Sequence, residues 1–128
     1  MALLADNNKY LVDSNILIYS FRKHIDLREL ITDDLAIFSE ISRVEVLSYH
    51  GLKDDEEYYY DYVFNFVPII FPSPEIFEIA IKVRKLHKLK LGDSLIAATA
   101  LEHNLTLYTH NIKDFNGIKG LKCIDPIK

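Results

Sequence analysis

The chain has 128 residues, 49% of them hydrophobic and 27% charged, which suits one globular domain and leaves no room for a second core. Four glycines and four prolines argue against disorder and long linkers, and a formal net charge of −4 excludes nucleic-acid binding through a basic field over the whole surface. One cysteine excludes an internal disulfide, and five histidines at no ligand-like spacing argue against a structural zinc site. Any bound metal is therefore expected to have oxygen ligands.

The apolar runs of the chain are too short for a membrane segment. Residues 2–5 fall below the roughly 7 to 15 apolar residues of a signal peptide. Residues 63–71 are interrupted by Asn65 and Pro68 and fall below the roughly 18 residues that a membrane helix requires. We therefore expect a cytoplasmic protein without membrane contact.

Short apolar runs alternate with helix-like segments along the chain. Strands are predicted at residues 10–12, 35–38, 69–71, 105–108 and 121–124. Helices are predicted within residues 15–21, 39–51, 54–66, 73–92 and 93–103, with a loop or short helix within 24–34. Strands that alternate with helices through right-handed crossovers predict a three-layer α/β/α sandwich around a mostly parallel sheet of about five strands.

Several residues mark where the predicted helices begin and end. Ser39 or Ser42 is a candidate N-cap, and Ser73, followed by a proline, is another. Gly92 is predicted to end the unit that begins at Ser73. The helix over residues 93–103 is apolar nearly all round, which predicts that it is the most buried one.

Three acidic residues stand at or near the junctions between apolar runs and helices: Asp13, Glu45 and Asp93. In an open α/β sheet such junctions lie at the edge where ligands bind, so the three carboxylates are expected to converge. Like charges brought together repel unless a cation or a proton compensates them, and this favours a shared divalent ion. Taken singly, Asp13 and Asp93 are also plausible helix N-caps, and Glu45 is also a plausible solvated helix acid.

Four segments together resemble a known family: YLVDSNILIY at the start, SRVEVL, GDSLIAATAL and LTLYTHNIKDF. They are similar, in order and spacing, to the PIN-domain nucleases, and among these to the VapC-type toxins of bacterial and archaeal toxin–antitoxin pairs. The resemblance covers essentially the whole chain. It implies an endoribonuclease that depends on Mg²⁺ or Mn²⁺, is inhibited by a small antitoxin and forms a homodimer.

By position, Asp13, Glu45 and Asp93 match the first three acids of that family. We expect Asp13 and Asp93 to be direct metal ligands, because Mg²⁺ prefers oxygen donors and is commonly held by one or two carboxylates plus substrate phosphate. Glu45 is expected to complete the catalytic cluster, by ligation or by orienting the attacking water. A metal-activated water would then hydrolyse the phosphodiester.

The match to the family loosens at its fourth acidic position. After Thr109 the chain offers Asn111, a neutral amide that can still coordinate through its oxygen, and then Asp114. Both are expected to support catalysis, Asp114 directly or through water. Thr109 is expected to position a carboxylate or a phosphate, although a buried threonine at a strand end is the plainer interpretation.

A basic run lies directly upstream of Asp93. Lys88 and Lys90 come nearest to it in sequence and are expected to contact the RNA backbone, although such lysines also occur on solvated helix faces. The tyrosines in residues 58–62 fit a core, a dimer interface, base stacking or an antitoxin helix.

Two other protein classes compete with this interpretation. A receiver-type signalling domain also has a magnesium-binding acidic pocket, but it needs a second acid beside the first and a phospho-acceptor Asp after strand three. Here Asp13 is followed by Ser14 and Asn15, and the third strand ends in Phe71 and Pro72. The second competitor is a catalytically silent PIN fold that acts only as a binding module.

Overall fold

A computed structural model describes residues 8–127. In these residues the strands are β1 (Tyr10–Val12), β2 (Ala36–Ser39), β3 (Ile69–Ile70), β4 (Thr106–Tyr108) and β5 (Cys123–Ile124). The helices are α1 (Ser14–Arg22), α2 (Leu27–Ile31), α3 (Glu40–Leu47), α4 (Asp54–Phe66), α5 (Pro74–Leu86), α6 (Leu91–Glu102) and α7 (Ile112–Phe115). The apolar run of residues 2–5, considered above as a targeting signal, lies outside the described residues.

The five strands form one sheet in the order β3-β2-β1-β4-β5, and every pairing is parallel. The central strand β1 is buried along its whole length, as expected for a parallel strand covered by helices on both faces. Since all strands point the same way, their carboxyl ends meet at one edge of the sheet. The predicted fold class is confirmed.

Side chains alternate between the two faces of β1 and divide the core into two parts. Tyr10 and Val12 pack with α1, α2 and α4 on one face. Leu11 packs on the other face with α5 and α6. The sheet therefore lies between two helical layers.

Helix α6 is the most buried helix of the described chain, as its apolar pattern predicted. Every residue from Ser94 to Ala100 is buried. Its small side chains, Ala97, Ala98 and Ala100, let α5 and the sheet approach closely. This packing fixes the position of the first turn of α6 relative to β1 and β4.

The structure corrects two of the predicted helix boundaries. Helix α3 ends at Leu47, before Gly51. Gly92 does not end the preceding helix, because α5 ends at Leu86 and Gly92 lies in the first turn of α6.

Two hydrogen bonds show which serines cap the predicted helices. Ser39, not Ser42, caps α3 by accepting the N–H of Ile41 at 3.0 Å. The Ser73 hydroxyl accepts the N–H of Ile76 at 3.3 Å and caps α5, as predicted. Within residues 8–127, no helix has the length and apolar character needed to cross a lipid bilayer.

Candidate active site

Asp13 is the first residue after the central strand and lies at the carboxyl edge of the sheet. Its backbone N–H donates to the carbonyl of Tyr108 at 2.9 Å, which ties it to the adjacent strand β4. Its Oδ1 accepts the N–H of Ser14 at 2.8 Å, so Asp13 is the N-cap of α1. The side chain is only 4% exposed. Asp13 is thus both a helix cap and a carboxylate fixed beneath the site.

Thr109 holds the second oxygen of Asp13 from the end of the neighbouring strand. The fully buried Thr109 hydroxyl donates to Asp13 Oδ2 at 2.8 Å. The same hydroxyl accepts the backbone N–H of Asn111 at 3.0 Å. Thr109 is therefore a buried strand-end threonine that also orients a carboxylate, so its two sequence interpretations coexist.

Glu45 reaches the same edge from α3. Its side chain is exposed, but Oε1 accepts a hydrogen bond from the Ser14 hydroxyl at 2.9 Å. A Cβ placed on Gly92 would collide with its Oε2 and would lie 3.3 Å from its Cδ. The carboxylate of Glu45 therefore lies between the start of α1 and the start of α6.

Asp93 follows Gly92 in the first turn of α6 and is half-buried. It does not cap this helix, because the N-cap position belongs to Lys90. Burial raises the pKa of Asp93, and the charge of Asp114 raises it further, while Lys90 opposes the shift. Asp114, exposed on α7, therefore lies close enough to Asp93 for their charges to interact.

The environment of Asp13 also favours its protonated form. Burial raises the pKa of Asp13 from 3.8 to about 6, against the hydrogen bond from Thr109, and the charges of Asp93 and Glu45 add to the rise. Within residues 8–127, none of the ion pairs involves Asp13, Glu45 or Asp93. The three acids thus form one electrostatically coupled cluster.

The remaining predicted residues lie around this cluster. Asn111 is exposed at the N-cap position of α7, and its side chain makes no capping hydrogen bond. Lys90 is exposed beside Asp93, and Lys88 is exposed nearby. An open groove of about 700 Å³ is lined by Ile81, Arg84, Lys85, His87, Lys88, Leu89 and Lys90.

Sequence reasoning missed Ser14 and Gly92. Ser14 joins the turn after β1 to Glu45, and Gly92 leaves the space that the Glu45 carboxylate occupies. The position of Ser14 directly after Asp13 was the available signal for the first. For Gly92 the available signal was the glycine itself, but the sequence pattern led us to interpret it as the end of a helix.

The side chains at the site are of the chemical type that binds a divalent cation, but they are not grouped as a formed set of ligands. In residues 8–127, no three His, Cys, Asp or Glu side chains are grouped closely enough to hold a metal ion as they stand. The Ser14 hydroxyl occupies one oxygen of Glu45, and Thr109 and the Ser14 N–H occupy both oxygens of Asp13. Carboxylate oxygens are the donors that Mg²⁺ and Mn²⁺ take. Burial is the main cause of the raised pKa of Asp13, and a cation would relieve the repulsion from Asp93 and Glu45 that adds to it.

A model of the PIN domain family matches residues 10–121. The chain belongs to the PIN domain family. The sequence resemblance to VapC-type PIN domains is confirmed at this level, and the five-stranded parallel sheet is the PIN-like fold. PIN domains are generally nucleases.

This PIN domain is similar to solved structures over nearly its whole length. A toxin–antitoxin complex from Klebsiella pneumoniae is 33% identical with a TM-score of 0.79, covering 94% of this chain and 99% of that chain. VapBC2 from Rickettsia felis, bound to a DNA fragment from their promoter, is 26% identical with a TM-score of 0.76, covering 90% and 96%. VapBC-1 from nontypeable Haemophilus influenzae is 25% identical with a TM-score of 0.76, covering 91% and 96%. No curated protein gives a significant match.

The Asp13 carboxyl is expected to make the metal-free PIN domain less stable at pH 7 than at pH 5. Its pKa is raised from 3.8 to about 6, so the folded state binds a proton more tightly than the unfolded state and stability falls as the pH rises through this window. A shift of this size amounts to roughly 3 kcal/mol once the group is ionised. Asp13→Asn should therefore raise the free energy of unfolding at pH 7 by about 1 to 3 kcal/mol. Urea denaturation in EDTA at pH 5, 6 and 7 measures it.

The difference between variant and wild type should shrink towards pH 5. Hydrogen bonds from Arg43 and Arg22 lower the pKa values of Glu40 and Glu56. These two acids contribute equally to the free energy of unfolding of the variant and of the wild type at each pH, so their contributions cancel in the difference. Asp61→Asn, a change of an exposed acid on α4, is the matched control and should not raise the free energy of unfolding at pH 7. A loss of stability in Asp13→Asn at pH 7 would mean that the hydrogen bond from Thr109, which an amide nitrogen cannot accept, outweighs the cost of the buried charge.

Proposed function

We propose that this chain is a divalent-metal-dependent endoribonuclease, the toxin of a toxin–antitoxin pair, acting in the cytoplasm. The observation that carries the proposal is the cluster of Asp13, Glu45 and Asp93 at the carboxyl edge of a PIN-domain sheet, with no ion pair to neutralise it among the described residues. Similarity to solved toxin–antitoxin complexes, one of them 33% identical, supports the biological role.

Asp13, Asp93 and Glu45 would hold the ion. Bound there, Mg²⁺ or Mn²⁺ would supply positive charge for the phosphoryl oxygens and lower the pKa of a coordinated water. Asp13 is suited to be the fixed ligand, because Thr109 and the Ser14 N–H set its orientation from the buried side. Asp93 offers its carboxylate from the rigid start of α6.

Glu45 and Asp114 approach the cluster from the exposed side of the site. Glu45 is proposed to complete the ligand set or to accept a proton from the attacking water. Asp114, coupled to Asp93 by charge, is proposed to support catalysis directly or through a water molecule, and the amide of Asn111, which makes no capping hydrogen bond, offers a further oxygen beside it. All five side chains are thus assigned to catalysis.

Lys88 and Lys90 are proposed to bind the RNA backbone. Both ammonium groups are exposed on the groove that ends at the first turn of α6, and Lys90 lies near enough to Asp93 to lower its pKa. Phosphate contacts of this kind position a nucleic acid without reading its sequence. The groove would therefore guide a strand towards the acidic cluster.

The protein partners proposed are a small antitoxin and a second copy of the chain. Of the tyrosines considered above, Tyr60 is buried in the core, and the hydroxyl of Tyr59 is hydrogen-bonded to the hydroxyl of Ser20. Neither is therefore free to stack on a base. Tyr58 and Tyr62 are 77% and 58% exposed and remain available to a partner. An apolar cleft of about 300 Å³ between α1, α3 and α4 offers a second contact surface.

The test of the proposed function is an RNA cleavage assay with purified protein freed of antitoxin. Cleavage should require added Mg²⁺ or Mn²⁺, stop on addition of EDTA and resume when the ion is restored in excess. Full activity in EDTA would contradict the metal-dependent mechanism. Absence of cleavage with every RNA tried, together with retained antitoxin binding, would support a catalytically silent binding module instead.

A further inference from the structure

The tip of the Glu45 side chain is hydrogen-bonded on one side and lies against Gly92 on the other, although the residue is exposed. The Ser14 hydroxyl donates to Oε1 at 2.9 Å, and Oε2 lies in the space that a Cβ on residue 92 would fill. A long side chain on an exposed helix surface normally keeps its rotamer freedom, and ordering it costs entropy. An ordered position of the exposed Glu45 carboxylate therefore indicates a role for it.

Gly92 is not needed for its backbone conformation. Positive φ values occur at Gly51 and Gly120, whereas Gly92 lies in the first turn of α6 with a backbone that other residues adopt. Glycine is one of the poorest helix formers, so an alanine would favour the helix itself. What an alanine would remove is the space beside Glu45.

We infer that Gly92 and Ser14 are positioning residues that hold the Glu45 carboxylate beside Asp93 and Asp13, where a divalent cation would bind. The inference rests on the proposed function and adds two residues to it. Glu45 comes from α3, whereas Asp93 comes from α6 and Asp13 follows β1. Without the gap at Gly92 and the hydroxyl of Ser14, the exposed Glu45 would turn into solvent and leave the cluster with two acids.

The variant Gly92→Ala distinguishes an effect on the position of the Glu45 carboxylate from an effect on folding. The atom in the way is the end of a flexible side chain, so the carboxylate can move aside and the melting temperature should not fall below that of the wild type. The Mn²⁺ affinity, measured by titration calorimetry on the full chain, should fall by about 10- to 100-fold, as for residues that orient metal ligands. Gly117→Ala is the matched control, because its added Cβ meets nothing nearer than His87 Cε1 at 4.0 Å.

A double-mutant cycle with Glu45→Ala tests whether the effect passes through Glu45. In that background there is no carboxylate to displace, so Gly92→Ala should leave the remaining Mn²⁺ affinity unchanged. Ser14→Ala should weaken Mn²⁺ binding, and Ser14→Thr, which keeps the hydroxyl, should restore it. An equal loss from Gly92→Ala with and without Glu45, or wild-type affinity in Gly92→Ala, would overturn the inference.

The same titrations distinguish failure of this inference from failure of the proposed function. Mn²⁺ binding that is lost in Asp13→Asn but is unaffected by Glu45→Ala and Gly92→Ala contradicts the positioning roles alone. A wild-type chain that binds no Mn²⁺ contradicts the proposed function, and the inference is then wrong as well.

Discussion

Asp13→Asn and Asp93→Asn should each abolish RNA cleavage while leaving the protein folded. An ion held by these carboxylates would contribute several kcal/mol to transition-state charge stabilisation, so its loss is expected to slow cleavage at least about 1,000-fold. The amide oxygen that Asp13→Asn introduces can still accept the Ser14 N–H, which preserves the cap of α1. Cleavage rates and growth inhibition on expression measure the effect.

The control for these variants is again Asp61→Asn, because it removes the same charge from an exposed position on α4 and Asp61 is not among the charges that shift the pKa of Asp13 or Asp93. It should cleave RNA and inhibit growth like the wild type. Cleavage by Asp13→Asn and Asp93→Asn at rates within about tenfold of the wild type would mean that the acids do not hold the ion, since tenfold corresponds to only about 1.4 kcal/mol.

Each cleavage should leave a 3′-hydroxyl on the upstream RNA product and a 5′-phosphate on the downstream product. In the proposed mechanism, a water activated at the acidic cluster would attack phosphorus from outside the RNA chain, so the ribose 2′-hydroxyl would take no part. The competing route would use a histidine such as His110 to deprotonate that hydroxyl and would leave a 2′,3′-cyclic phosphate. End-group labelling or mass spectrometry of a short RNA distinguishes the two products.

The metal route does not use His110, although the pairing of its ring with a carboxylate is one that a general base also has. His110 pairs through Nδ1 with Asp125 Oδ2 at 2.9 Å, its ring packs edge-on against Tyr19, and its backbone N–H donates to Asn15 at 3.3 Å. His110→Ala should accordingly retain metal-dependent cleavage. Cyclic phosphate ends, combined with loss of activity in His110→Ala, would replace the metal mechanism with general acid–base catalysis.

The sequence predicted the parts of the fold that depend on local patterns. The apolar runs of β1 and β2, the cap Ser73 and the burial of α6 each follow from periodicity or from hydrogen-bonding chemistry close to the residue concerned. The sequence narrows the cap of α3 to Ser39 or Ser42, and the structure shows that it is Ser39. The strand–helix order then left few topologies, because parallel neighbours need right-handed crossovers.

The details of the site depend on how distant elements pack, which local patterns do not reveal. Gly92 has the local character of a helix end, and only the approach of α3 shows that its missing side chain makes room for Glu45. Asp93 has the character of an N-cap, but α6 begins two residues earlier. The hydrogen bond between Thr109 and Asp13 joins residues 96 positions apart, and periodicity carries no information over that distance.

That separation of 96 residues also sets the order in which the site forms during translation. Asp13 leaves the ribosome well before Tyr108, whose carbonyl accepts its backbone N–H, and before Thr109, whose hydroxyl donates to its carboxylate. In a nascent chain that stops before β4, Asp13 has neither partner, and β1 lacks one of its two neighbouring strands. If the proposed nuclease activity is correct, truncated translation products should be harmless to the cell that makes them, and the activity should appear only after Thr109 has been added.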